Sequence, residues 1–317
     1  MLRLRPCCWC IPKANRGLRV CARGHYHERD IVLIEYLLVP LDGSPLADQI
    51  LPYVRLLGHA LNVPVRLLHV DRAVAAPDET VPHFANAYLE RAALTVQQAG
   101  LTAERQIVAG APADAILAYV QQHPFGLVMM ATHGYSGLRQ WALGSVTDRV
   151  VSATSAPVFV VRATTTPQSE PQLQHLLVPL DGSSSSDQAL PIAGLLAHYT
   201  GAHIHLLSAV FPVEAEIYDA ETLTTNQRIQ SLLPLLQQER QHHLAQAAGQ
   251  LDGLTVSAQV VVGKAVETII AAASKQPADL IVMATHGYSG FRRWALGSVA
   301  NEVLRTTDTP LLLVRVE

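Results

Sequence analysis

Four residue types recur in this chain at positions where backbone and side chain could together hold a phosphorylated ligand: an aspartate, a histidine, spaced glycines and a serine. Leu37-Leu38-Val39-Pro40-Leu41-Asp42-Gly43-Ser44 returns unchanged as Leu176 to Ser183. Met130-Ala131-Thr132-His133-Gly134-Tyr135-Ser136-Gly137 returns as Met283 to Gly290, and Trp-Ala-Leu-Gly-Ser-Val follows in both copies, at Trp141–Val146 and Trp294–Val299. Chance does not supply matches of this length, so the chain is an internal repeat.

Gly134, Gly137 and Gly144, with Gly287, Gly290 and Gly297, lack a Cβ and let backbone turn sharply or lie close to a phosphate. Ser145-Val146-Thr147-Asp148 reads as a capping box. It predicts the amides of Ser145 and Val146, and likewise Ser298 and Val299, at a helix N-terminus, where backbone donors and the positive dipole end attract anions. Plain turn chemistry is the competing reading of these glycines. For Asp42 and Asp181 the alternatives are an Asx turn or helix cap, or a carboxylate that accepts ribose or adenine polar groups. His133 and His286 have no nucleophile or carboxylate at a telling spacing and read as loop-packing residues. Arg139, Arg292 and Arg293 either reach a γ-phosphate or remain solvated. Trp141 and Trp294 read as anchors that bury the loop.

These groups need a scaffold. Short β-rich apolar runs alternate with helical patterns, and in the first copy strands are predicted near 36–41, 64–70, 103–109, 126–131 and 157–162. Helices are predicted near 45–61, 82–99, 111–123 and 144–155. Such alternation implies right-handed βαβ crossovers and a parallel sheet covered on both faces. Leu127-Val128-Met129-Met130 and Leu280-Ile281-Val282-Met283 carry no polar alternation, as expected of central strands. In an open sheet of this kind ligands bind beyond the strand C-termini where strand order reverses, and Asp42, Asp181 and the Thr-His-Gly loops all follow strands.

The chain of 317 residues is long enough for two domains. The spacing predicts a first domain at 35–163, a polar, proline-bearing linker at 164–173 and a second domain at 174–317. From Asp42 to Thr132 is 90 residues and from Asp181 to Thr285 is 104, which puts 14 extra residues in the second copy. They fall around Phe211 to Gly253, where its second helix is expected.

Residues 1–34 read as a basic extension, either disordered or added by an over-extended start. Seven Lys/Arg against two acids in residues 1–30 leave −8 for the rest of a chain whose net charge is −3. An acidic body argues against nucleic acid as a partner. Cys7, Cys8, Cys10 and Cys21 all lie in this extension, so disulfides hold neither domain and a reducing cytoplasm is expected. With His25 and His27 they lack the two paired C-x₂-C spacings that make a zinc site recognisable. Pro6 and Pro12 break the apolar stretch before a signal sequence forms. A hydrophobic content of 49% suits packed domains, yet no run approaches the roughly 18 apolar residues of a membrane span.

The paired motifs resemble the universal stress protein family in its tandem form, over nearly all of 35–317. That family's ATP-binding members carry Gly-x₂-Gly-x₉-Gly-(Ser/Thr) after the fourth strand. The matching residues here are Ala131, Gly134, Gly144 and Ser145, and Ala284, Gly287, Gly297 and Ser298, with alanine in place of the first glycine. Pro40 and Asp42, and Pro179 and Asp181, match its first-strand contacts to the adenosine half of the ligand. Val70, and Ala209 in the second half, match its second-strand contact.

The resemblance implies two doubly wound, Rossmann-like α/β domains of five parallel strands each, of the adenine nucleotide α-hydrolase-like kind. It further implies that their final strands, near 158–162 and 311–315, pair into an internal pseudo-dimer, which could itself form a homodimer. The expected ligand is ATP or another adenine nucleotide, with or without Mg²⁺, in a stress-response sensor or regulator. A slow ATPase or phosphotransferase and a nucleotide-free adapter are the alternatives. The loops contain no P-loop Gly-Lys-(Ser/Thr) and no assured Mg²⁺ ligand beyond Asp42 or Asp181, which favours binding over phosphoryl transfer.

Overall fold

The computed structural model describes residues 18–19, 33–71, 83–132, 143–163, 170–211, 225–275, 277–285 and 296–316. The four cysteines, His25 and His27 lie outside them, as do 133–142 and 286–295, which contain both histidines, Gly134, Gly137, Gly287, Gly290 and both tryptophans of the loops. Leu18–Arg19 and Leu33–Ile34 form a short antiparallel ribbon.

The first half contributes strands β1 (Tyr36–Pro40), β2 (Val65–Asp71), β3 (Ala103–Ala109), β4 (Gly126–Ala131) and β5 (Val158–Val161). The second repeats them as β6 (His175–Pro179), β7 (His203–Val210), β8 (Val256–Val262), β9 (Leu280–Ala284) and β10 (Leu311–Val314). All ten join one sheet in the order β8-β7-β6-β9-β10-β5-β4-β1-β2-β3. Pairing is parallel within each half and antiparallel between β5 and β10, where Phe159 faces Leu312. Two tandem Rossmann-like domains therefore share a sheet through their last strands, as the resemblance implies.

The helices are α1 (Leu51–Leu61), α2 (His83–Gln98), α3 (Pro112–Gln122) and α4 (Ser145–Ala153), then α5 (Leu190–Thr200), α6 (Thr225–Gln250), α7 (Ala265–Lys275) and α8 (Ser298–Thr306). Proline within the first two positions starts α1, α3 and α5, where its missing N–H has no intrahelical acceptor anyway. Left-handed Asn62 and Gly201 end α1 and α5. The expected helix from 45 divides into a 3₁₀ turn at Ala47–Ile50 followed by α1. The longer second copy shows in α6, 26 residues against 16 in α2.

Side chains alternate across the sheet, so each strand feeds two cores. Leu37, Val39, Leu67, Met129 and Phe159 pack under α1 and α2, and this core runs without a break through Leu312 to Leu180, Leu206 and Leu244 beneath α5 and α6. Leu38, Leu68, Val128, Met130 and Val160 face α3 and α4, in a core that continues through Leu311 and Leu313 to Ile281 and Val303. Both cores thus cross the boundary between halves. Arg162 donates to the Arg305 carbonyl and Arg315 to the Ser152 carbonyl, a reciprocal pair of the kind a two-fold interface produces. Among the described residues no helix is long and apolar enough to cross a membrane.

On β7 the His205 imidazole contacts the Ser257 hydroxyl of the edge strand β8 at 2.9 Å. Burial and, secondarily, His203 push its pKa below the ordinary 6.5. The unfolded chain therefore binds this proton more readily than the folded one. Stability from His205 is full above pH 6.5 and falls as pH drops from there towards the depressed folded value. We expect His205→Gln to flatten part of the loss of melting temperature between pH 7 and 5; an unchanged slope would exclude the effect.

Candidate functional site

Strand order reverses beside β1 and again beside β6, because β2 and β3 lie to one side of β1 and β4 to the other. The crevice this opens lies past the strand C-termini, between the turn after β1 and the chain leaving β4. Every described site residue predicted from the sequence belongs to one of these two segments or to the end of the second strand.

After β1, Leu41 N–H still donates to Leu68 O at 2.8 Å, and then the chain turns. Asp42 Oδ1 accepts the Ser44 N–H at 3.0 Å and Gly43 adopts φ +88°. In the second half Asp181 Oδ1 accepts both the N–H and the hydroxyl of Ser183, at 3.0 and 2.6 Å, with Gly182 at φ +85°. The Asx-turn reading of these aspartates is thus realised, and it fixes both carboxylates at the mouth of the crevice. Each serine side chain accepts an amide three residues on, Ser44 Oγ from Ala47 N–H and Ser183 Oγ from Ser186 N–H, both at 3.1 Å, and Ser183 thereby caps the helical turn Ser184–Asp187.

After β4 the buried Thr132 N–H donates to Val161 O at 2.9 Å, and Thr132 O receives the Gly144 N–H at 2.7 Å. The second half matches: Thr285 N–H to Val314 O and Gly297 N–H to Thr285 O, both 2.8 Å. The chain therefore leaves and rejoins at one threonine, and the start of α4 or α8 is pinned against the strand end.

One expectation is corrected here. The capping box does not form, because Gly144 and Gly297 are the N-caps and Ser145 and Ser298 are already the first helical residues. Asp148 pairs instead with Arg305 at 3.0 Å. The two N-cap glycines hold φ of −62° and −59°, which any residue adopts. What survives is their lack of a side chain. The amides of the first helical turn, Ser145 and Val146 or Ser298 and Val299, have no acceptor within their own helix, and they stand beside Ala131 or Ala284 at the strand end.

In the second half these parts enclose a cavity. Pro179, Asp181, Ala209, Ala284, Gly297, Ser298 and Val299 line it, which is every predicted residue of that half except Gly287, outside the described residues. Its floor was not foreseen. Leu207, Met283 and, from α7, Ala265 and Ile269 make it apolar on one side, a surface suited to a flat ring. In the first half Pro40, Asp42 and Ala131 end β1 and β4 in the same way, while Val70 on β2 is partly buried against the core under α3 and α4. The halves differ one turn into the last helix: Thr147 Oγ donates to Ala131 O at 3.0 Å, whereas Ala300 occupies the matching place.

Comparison with known proteins gives one family. The universal stress protein family matches twice, over residues 34–162 and 172–315. Universal stress protein Rv2005c of Mycobacterium tuberculosis is 24% identical over 301 residues, covering 88% of this chain and 96% of that protein. Universal stress protein YxiE of Bacillus subtilis is 27% identical over 144 residues, 97% of its length but 40% of this chain. The crystal structure of a universal stress protein from Archaeoglobus fulgidus superposes with a TM-score of 0.65 at 21% identity, covering 89% of this chain and 98% of that one.

The Asp181–Gly182 turn should be intolerant of a side chain. Its φ of +85° disfavours any L-residue, and a Cβ there would also occupy the space of the Arg240 guanidinium. Gly182→Ala should lower unfolding free energy by at least about 1–2 kcal/mol, the ordinary penalty of the left-handed region. Urea denaturation measures it, and an unshifted midpoint would rule out the constraint.

Proposed function

The chain belongs to the universal stress protein family, and from that premise we propose that each half binds one adenine nucleotide, ATP first among them, and that occupancy makes the protein a stress-response regulator. The observation that carries this reading is the second-half cavity, where an apolar floor, an aspartate turn and a helix N-terminus converge. Pro40, Asp42 and Val70, and Pro179, Asp181 and Ala209, take the adenosine half. Ala131, Gly134, Gly144, Ser145 and Val146, and Ala284, Gly287, Gly297, Ser298 and Val299, take the phosphates. Exposed Ser145 and Ser298 offer a hydroxyl beside the first-turn amides.

The physical division is simple. A purine needs apolar contact on its faces and a few fixed polar groups at its edge, which strand-end aliphatics and an Asx-locked carboxylate supply. Phosphates need donors that cost nothing to reorganise, which orphan helix amides supply. Where a magnesium ion accompanied the nucleotide, Asp181, the acidic residue lining the second cavity, would be the side chain to help hold it, and the ion would neutralise phosphate charge. The acidic, cysteine-free body of the chain fits a cytoplasmic protein without nucleic-acid partners.

Calorimetric titration of the full chain with millimolar Mg-ATP should give two nucleotides per chain, and mass spectrometry of freshly purified protein should find an adenine nucleotide released on denaturation. No heat of binding and no released nucleotide would end this reading in favour of an adapter. Steady phosphate release abolished by combining Gly144→Val with Gly297→Val would turn it into a hydrolase.

Gly144→Val and Gly297→Val each put a branched side chain where the phosphates must approach the N-cap. Losing two charge-assisted hydrogen bonds, at roughly 1.5–3 kcal/mol each, weakens the affected site by a factor on the order of 10² or more. Each variant should keep its fold and titrate one nucleotide. Unchanged affinity with valine at both positions would show that phosphates lie elsewhere.

A further inference from the structure

The two halves hold their ligand turns differently, and the difference originates on the second helix. In the first half the buried Tyr88 of α2 donates its hydroxyl to Asp48, six residues beyond Asp42, at 2.5 Å. In the second half His243 of α6 contacts Asp187, six residues beyond Asp181, with Nε2 at 3.1 Å from Oδ2. These equivalent contacts set the register between α2 and α6. The core positions agree with it, since Leu89, Ala92 and Val96 fall opposite Leu244, Ala247 and Leu251.

In that register the residue one turn before Tyr88 is Ala85, 2% exposed, and the one before His243 is Arg240, 7% exposed. Where the first half buries a methyl, the second buries a guanidinium. Arg240 Nη1 donates to the Asp181 carbonyl oxygen, and its head fills the volume that a Cβ on Gly182 would claim. A buried cation is retained only where acceptors compensate its desolvation. One acceptor here is the backbone carbonyl of Asp181, a residue that lines the candidate cavity. Arg240 itself does not line the cavity.

The geometry points to Arg240 as a positioning residue for the second nucleotide site, one that locks the Asp181–Gly182 turn before ligand arrives and whose matching position in the first half is Ala85. The inference rests on the nucleotide reading above. Its physical content is preorganisation: a turn already fixed loses less freedom on binding, so the gain falls on affinity at this site alone. It follows that the two sites of one chain are not equivalent despite near-identical loops.

The test uses the full chain in two backgrounds. In Gly144→Val, titration with Mg-ATP reports the second site, and there Arg240→Met, which keeps volume without charge, should weaken binding about tenfold. Arg240→Lys, which keeps a cationic donor, should restore most of it. In Gly297→Val, which reports the first site, Arg240→Met should change nothing. Hydrogen exchange supplies a readout that needs no nucleotide: the amides of 182–186 should exchange faster in Arg240→Met, while those of 244–251 in α6 keep their protection. Equal weakening at both sites, failure of lysine to rescue, or unchanged exchange at 182–186 would each overturn the assignment. If the wild-type chain binds no adenine nucleotide, the functional reading fails, and faster exchange confined to 182–186 still establishes the lock on the turn.

Discussion

The antiparallel pairing of two four-residue strands, β5 and β10, is the constraint on which the rest of the molecule depends. Val158-Phe159-Val160-Val161 and Leu311-Leu312-Leu313-Val314 are buried throughout, so each in isolation would be an apolar sheet edge with an unpaired backbone ladder. Such an edge is a template for aggregation, and pairing the two removes both. Antiparallel pairing also reverses strand direction between halves. The two crevices, each at its strands' C-terminal ends, consequently open at opposite ends of the ten-stranded sheet.

That arrangement explains how the cores are built. Phe159 reaches Tyr53 of α1, with ring centroids 5.5 Å apart, and α1 packs against α5 across the junction. On the other face Leu311 and Leu313 join the cluster that contains Val150 and Val303. A half separated from its partner would uncover apolar surface on both faces as well as the strand edge. The reciprocal Arg162 and Arg315 contacts sit at the rim of this junction, where they fix orientation more than they add stability.

Much of this was legible in the sequence, and for physical reasons. Strands buried on both faces read as unbroken apolar runs, so β4 and β9 were placed by Leu127–Met130 and Leu280–Met283, and strand-helix alternation dictated a parallel sheet. Verbatim repetition singled out Asp42 and Gly144 with their partners, and in the second half Asp181 and Gly297 line one cavity at the point where strand order reverses. Backbone detail was less accessible. A serine followed three residues later by an acid suggested a capping box, but whether the glycine or the serine takes the cap depends on where the chain rejoins the strand, and the Gly144–Thr132 hydrogen bond decides that. Arg240 was invisible because it belongs to the helix that differs most between copies and acts on a residue 59 positions away. A buried arginine in an otherwise apolar helical stripe, with Leu244, Ala247 and Leu251, was the signal that could have exposed it.

The starts of α4 and α8 also differ in the charges beside them. Asp148 lies in the first turn of α4, where the macrodipole favours an acid, yet a carboxylate there opposes any phosphate brought to Ser145. Arg305, from the last turn of α8 in the other half, meets Asp148 at 3.0 Å. It offsets that charge. In the second half the matching residue is Asn301, which is neutral and accepts the Arg305 Nε–H at 3.0 Å. One arginine thus serves both helices, compensating an acid on α4 and closing a turn on α8. The two N-termini reach similar electrostatics by different residues, one through a salt bridge across the junction and the other through the absence of a charge. The start of α4 therefore takes more from the second half than a completed sheet, since separating the halves would remove the arginine that meets Asp148 in its first turn.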